Sequence, residues 1–154
     1  MTAIAAEPEP QTFLLRPLVL SLRPRFADAI LDGTKTVELR RTRLSAPSGT
    51  LLILYASTPV MAVIGTAILA DRDTDTPSRI WRRHRPNLSL TKAEYDAYLA
   101  GASTATAVTV ASPQRLPEPH TLAALRTRAT FRPPQSFRYL SDQDPVQLHD
   151  LERS

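Results

Sequence analysis

Asp32-Gly33-Thr34-Lys35-Thr36-Val37-Glu38-Leu39-Arg40 is the stretch in which one periodicity gives way to another. Upstream, Pro24 to Leu31 places Phe26, Ala29 and Ile30 at i, i+3 and i+4, the apolar stripe of a short helix. Pro24 suits its first turn, and Gly33 suits the left-handed position just past its end. From Thr36 the period becomes two, with Val37 and Leu39 on one side of a strand and Glu38 and Arg40 on the polar side. Lys35 then sits at the mouth of a helix-to-strand turn. An ammonium, a carboxylate and a guanidinium brought together beside a Gly turn could bind a polar ligand or do acid–base chemistry.

Composition singles out Lys35 again. Of the 19 basic residues only Lys35 and Lys92 are lysine. The ammonium is compact, strongly hydrated and easily shifted in pKa by burial, so it does not substitute for a guanidinium. A solvated loop lysine is the competing reading.

At 154 residues the chain has the size of one domain with a real core. No apolar run reaches the roughly 18 to 20 residues of a membrane helix, and Met1 to Glu9 lacks the basic region of a signal peptide. A cytoplasmic location, with no membrane partner, is the expectation. The absence of cysteine removes disulfides, thiolate metal sites and a Cys nucleophile. His84, His120 and His149 are isolated without ligand spacing, so no metal and no cofactor are expected.

Charge divides the chain. Residues 15–140 hold 18 bases against 9 acids, while residues 1–14 and 141–154 are acidic. We read 1–14 as a disordered N-terminal tail, 15–140 as the domain and 141–154 as an acidic C-terminal tail. A basic body favours a polyanionic partner, nucleic acid first, against the bland alternative of an arginine-rich proteome.

Leu18 to Leu22 is a strand candidate. Thr50 to Ala56 and Val60 to Leu69 are apolar runs joined by the turn Ser57-Thr58-Pro59, hence two antiparallel central strands. Gly65 within the second marks a bulge, a corner or a close approach. Asp71, Asp73 and Asp75 lack the glycine and distal Glu of a calcium loop and read as a solvated loop. Pro77 to His84 is a short helix on which Trp81 is a core anchor before it is a base-stacking residue. Thr91-Lys92-Ala93-Glu94 is a capping box that starts a helix to Leu99, with Gly101 as its stop. Ala105 to Ala111 is a further strand, Pro113 and Pro117 bound the next connection, and Thr121 caps a helix over Leu122 to Leu125.

Gly33-x-Lys35-x-x-Glu38-x-Arg40 resembles the G-x-K-x-x-E-x-R signature of the ASCH domain family, a branch of the PUA-like small barrels. Leu18 to Asp32, Leu52 to Gly65, Tyr95 to Val110 and the Phe131 to Leu140 segment (FRPPQSFRYL) are similar to the family's successive elements, so the likeness covers about residues 17 to 140. The resemblance implies an α+β fold: a mostly antiparallel PUA-like β-barrel of five to six strands with two to three flanking helices. It implies a cleft beside the first helix lined by the signature residues, for single-stranded RNA, a nucleotide or a modified nucleoside. The expected ligand-binding residues are Arg23, Lys35, Glu38, Arg40, Tyr55, Ser57 and Thr58, around a basic cleft. If the protein is an enzyme, Lys35 and Glu38 are the catalytic candidates.

Three functions follow from that site. One is an RNA- or nucleotide-binding module. Another is a metal-independent ribonuclease, with Glu38 as base and Lys35 and Arg40 as electrostatic stabilisers. The last is an amidohydrolase acting on an acylated nucleoside such as N4-acetylcytidine; in such relatives the motif carries Thr where this chain has Glu38. After Gly101 the relatives tend to have Ala-Tyr-Ala, where this chain has Thr104-Ala105-Thr106-Ala107. Oligomeric state is not legible from these residues.

Overall fold

Alternation along the strands sorts the side chains into separate cores. In β1 (Leu18–Leu22), Leu18, Leu20 and Leu22 enter one buried cluster and Val19 enters another on the opposite face. In β3 (Leu51–Ala56), Leu52, Leu54 and Ala56 join the first cluster while Ile53 and Tyr55 join the second. Covered on both faces, these strands need the near-continuous apolar runs seen in the sequence. The computed structural model describes residues 15–153, and the tail read over residues 1–14 lies outside them.

Six strands form one mixed sheet in the order β2-β5-β4-β3-β1-β6, wrapped as a half-barrel and completed by β2 (Val37–Arg40), β4 (Ala62–Asp75), β5 (Ala105–Thr121) and β6 (Phe137–Tyr139). Among the described residues only β1 and β3 pair in parallel, and the remaining ladders are antiparallel. The α+β PUA-like barrel expected from the sequence is the fold observed.

Helix α1 (Pro24–Asp32) starts at its proline and ends where Gly33, at φ 83°, turns left-handed and donates its N–H to Ile30. Its Ala27 and Ile30 are fully buried in the first core, where a wholly buried Ile contributes about 1.5–3 kcal/mol. Gly65 is the point of contact with the sheet. A Cβ there would lie 2.5 Å from Leu31 Cδ2 and 2.7 Å from the Gln114 carbonyl oxygen, so the close approach is by α1. A third cluster joins β2 and β5 to α2 (Pro77–His84) and α3 (Lys92–Tyr98) through Val37, Leu39, Ile80 and Tyr95. Trp81 packs there as a core anchor, its ring 4.8 Å from Tyr95. Helix α3 carries the expected capping box, Glu94 N–H to Thr91 Oγ1 and Thr91 N–H to Glu94 Oε1.

Two strands run well past their expected ends. Asp71 to Asp75 is the end of β4 and not a solvated loop: Asp71, Asp73 and Asp75 are registered against Thr109, Ala107 and Ala105 of β5. Two of the carboxylates are met by α2, with Arg83 2.5 Å from Asp75 and 3.4 Å from Asp73 and His84 Nε2 also 2.8 Å from Asp73, while Asp71 accepts from the Arg72 N–H at 2.8 Å. Helix-borne cations thus compensate acids that would otherwise argue against a strand. Likewise β5 passes Pro113 and Pro117. The ladder steps from Ile68↔Ala111 to Thr66↔Gln114 and from Gly65↔Arg115 to Val63↔His120, so both prolines fall in bulges, where no ladder N–H is needed.

Helix α4 (Leu122–Leu125) is capped by Thr121, which accepts from Ala124 N–H at 3.1 Å. The acidic C-terminal segment folds back as α5 (Val146–His149), with Leu148 fully buried in the second core beside Phe131 and Leu140. Asp144 anchors it, bonded by Arg138 at 2.7 and 2.9 Å and by Ser141 N–H at 2.8 Å.

Candidate functional site

Strand β2 is an edge strand, and its polar side faces inward across the barrel seam. All four of its residues are buried, with Glu38 5% and Arg40 7% exposed. Lys35 lies deeper than the mouth of a turn: it is 1% exposed. Its backbone N–H bonds to Ala29 O at 3.0 Å, which locks the residue to the end of α1. Its Nζ donates to the carbonyl of Leu88, sits 3.4 Å from Glu38 Oε1 and lies 4.9 Å from the Phe26 ring centroid. Glu38 is the centre of the group, its other oxygen accepting from Arg40 Nη1 at 3.0 Å.

Arg40 closes the seam. Strands β2 and β6 are the two edges of the sheet, and the Arg40 guanidinium spans the gap between them. Nη1 donates to the Ser21 carbonyl of β1 at 3.2 Å, and Nη2 to Ser136 Oγ, just before β6, at 2.6 Å. Its Nε is buried with no hydrogen-bond partner among the described residues. A rigid planar fork spreads its donors over separate nitrogens and so reaches acceptors from three elements, where an ammonium gathers its donors on one nitrogen.

Burial pushes the Lys35 ammonium below its ordinary pKa; Glu38 opposes that shift, while Arg25 and Arg40 add to it. The group therefore sits closer to giving up its proton than a solvated lysine does.

This triad lines a cavity of about 500 Å³. Its lining combines the polar Lys35, Glu38, Arg40 and Ser21 with Phe26, Leu90, Ala97 and Tyr98. Arg23 lies at the rim, exposed. Two carboxylates, Glu38 and Glu94, stand against three cations, so the lining is mixed in sign where a basic cleft was expected. Glu94 is itself held by Arg25 at 2.5 Å, which with the Thr91 N–H lowers its pKa to about 2.

Tyr55, Ser57 and Thr58, expected beside the triad, line a separate adjoining cavity of about 400 Å³ with Met61, Leu122 and Arg126. Burial raises the pKa of the Tyr55 hydroxyl. The two cavities share Ser21, Leu22 and Gln135. Sequence reasoning missed Leu88, Ser21, Gln135 and Tyr98. The Leu88 contact is a backbone carbonyl with no sequence signal, whereas Gln135 and Ser136 fall in the FRPPQSFRYL segment already singled out. Among the described residues no cluster of three or more His, Asp or Glu is arranged to hold a metal ion, and no helix is long and apolar enough to cross a membrane.

Comparison with known proteins bears on this geometry. The ASCH domain description matches residues 20–115. An ASCH domain-containing ribonuclease of Zymomonas mobilis subsp. mobilis is 37% identical over 135 residues, covering 86% of this chain and 90% of that one. The crystal structure of ASCH from Zymomonas mobilis superposes with a TM-score of 0.80 at 34% identity, over 88% of this chain and 95% of that one. A Pseudomonas putida protein of known crystal structure shares the fold, with a TM-score of 0.55 at 15% identity over 88% of this chain and 98% of its own.

Proposed function

The chain belongs to the ASCH domain family, and on that premise we propose that it binds single-stranded RNA across the barrel seam and cleaves it. The observation that carries the reading is the Lys35–Glu38–Arg40 triad, each member more than nine-tenths buried, set into the wall of a cavity large enough for a nucleoside. Burying ions costs several kcal/mol each, and an apolar replacement is often as stable, so stability alone gives this cluster little reason to exist. The 37% identical relative named as a ribonuclease supports the chemistry.

RNA carries its own nucleophile. The 2′-oxygen attacks the adjacent phosphorus, a 2′-O–P bond forms, and the P–O5′ bond breaks. A base takes the 2′-proton, an acid returns one to the leaving 5′-oxygen, and a cation stabilises the charge on the phosphorane. Glu38 takes the first proton in this scheme, and Arg40 supplies fixed positive charge. Lys35, with its pKa held down by burial, is suited to give a proton to the leaving oxygen. Arg23, exposed at the rim, holds a flanking phosphate.

The test incubates a fluorescent single-stranded RNA with the wild type and Lys35→Ala and identifies the product ends. Fragments with 2′,3′-cyclic phosphate that disappear in the variant are expected. Ends bearing 3′-hydroxyl and 5′-phosphate would refute the transesterification route. Intact RNA with unimpaired binding would make the protein a reader. Release of acetyl from N4-acetylcytidine without RNA cleavage would move the reading to amide hydrolysis.

A further inference from the structure

The sheet seam opens into two cavities that meet along one ridge. Ser21, Leu22 and Gln135 line both. On that ridge Leu22 is apolar, and the Ser21 hydroxyl is spent on the Pro134 carbonyl at 2.6 Å. Gln135 is exposed, and its side-chain amide has no hydrogen-bond partner among the described residues. Two donor hydrogens and a carbonyl oxygen are thus uncommitted at the junction.

The two cavities repeat one arrangement. Each has an apolar or aromatic surface: Phe26, Leu90 and Tyr98 in the first, Tyr55, Met61 and Leu122 in the second. Each also has one exposed guanidinium with spare donors. Arg23 has no side-chain partner among the described residues, and Arg126 spends only its Nε, on the Phe131 carbonyl at 3.0 Å. At about 500 and 400 Å³ both exceed the roughly 300 Å³ lower bound of small-molecule sites. Tyr98 is 40% exposed while lining the first cavity, an aromatic face left open where a base could stack.

We infer that the recognised unit is a dinucleotide step, one base in each cavity, with Gln135 as the binding residue at the junction that makes the two sites act as one. This rests on the RNA reading above and adds to it the length of the recognised unit and the residue that couples its halves. Arg23 and Arg126 each meet one of the two phosphates of a 5′-phosphorylated dinucleotide, and the Gln135 amide meets the sugar between them. A ligand occupying both cavities gains the second at high effective concentration, so the advantage depends on the ridge that separates them.

The experiment titrates wild type, Gln135→Ala and Tyr98→Ala with 5′-phosphorylated, 2′-O-methyl mono-, di- and trinucleotides, which cannot undergo attack by their own 2′-oxygen. The dinucleotide should bind at least about tenfold more tightly than the mononucleotide, and the third nucleotide should add less than about threefold. Gln135→Ala should weaken the dinucleotide about fivefold more than the mononucleotide, because the contact that joins the two halves exists only when both cavities are filled. Tyr98→Ala should weaken both ligands by about tenfold, the worth of one stacked base. Gln135 is exposed, so its variant is expected to fold, and a wild-type-like melting curve checks this. A dinucleotide that binds no better than a mononucleotide overturns the inference, as does a Gln135→Ala effect equal on both. If either occurs while longer RNA is still cleaved in a Lys35-dependent way, the dinucleotide unit falls and the RNA reading stands. If no nucleotide or RNA binds at all, both fall together.

Discussion

Glu38→Gln tests the electrostatics of the seam directly. The wild-type carboxylate is shared between Lys35 Nζ at 3.4 Å and Arg40 Nη1 at 3.0 Å, with all three side chains less than a tenth exposed. Glutamine keeps the shape and removes the charge, leaving two buried cations facing each other. Breaking a buried ion pair from one side costs about 3–5 kcal/mol. In a chain of this size each kcal/mol is worth about 2–4 °C, so melting should fall by roughly 6–20 °C. The loss should also depend on pH. Glu38 opposes the burial-driven lowering of the Lys35 pKa, so its removal lowers that pKa further beneath the ordinary value of 10.5. Between the folded pKa and 10.5 the unfolded chain binds more protons, so stability rises with pH in that window. The variant should therefore recover part of its loss as pH is raised from 7 towards 10, by a margin larger than wild type shows. Adding Lys35→Met removes one of the stranded cations, so the double variant should be no less stable than Glu38→Gln alone. Urea denaturation of the wild type, Glu38→Gln and the double variant across that pH range is the assay. A loss under about 1 kcal/mol that does not change with pH would refute the reasoning, since it would mean that solvent screens the triad as it screens an exposed ion pair.

Two other variants probe the scaffold. Gly65→Ala should destabilise by about 1–3 kcal/mol in urea denaturation, because the new methyl group meets both Leu31 and the Gln114 carbonyl; Leu31→Ala in the same chain should return part of that loss. Asp144 is pushed up in pKa by burial, but the bonds from Arg138 and Ser141 outweigh this and hold it below its ordinary 3.8. Its contribution to stability is complete above that value and is lost as pH falls through the depressed pKa. Asp144→Asn should therefore cost about 2 kcal/mol at pH 7 and progressively less below pH 3.8, measured by urea denaturation at both pH values.

Much of the site's chemistry was legible because it is local. The helix-to-strand change around Gly33 fixes Lys35 at the end of α1, and period two puts Glu38 and Arg40 on the same side of β2. The isolated lysine in an arginine-rich chain pointed to the same position. The ends of β4 and β5 were not legible. Asp71 to Asp75 and the Pro113 and Pro117 region carry residues that weaken a strand when taken alone, and it is the partner ladder, with cations from α2 and bulges under the prolines, that makes them tolerable.

The sequence alone determined which residues carry charge, where helices start and stop, and which side of each strand is apolar, since these depend on neighbours within a turn or two. The tertiary structure decided the rest. It turned the polar side of β2 inward so that Arg40 fastens β2 to β1 and to the residues before β6, and it brought the Leu88 carbonyl to Lys35 from 53 residues away. It also moved Tyr55, Ser57 and Thr58 into a neighbouring cavity and set Gln135 between the two. Such pairings join groups far apart in the chain, and their strength depends on the exclusion of water, which exists only once the barrel has closed.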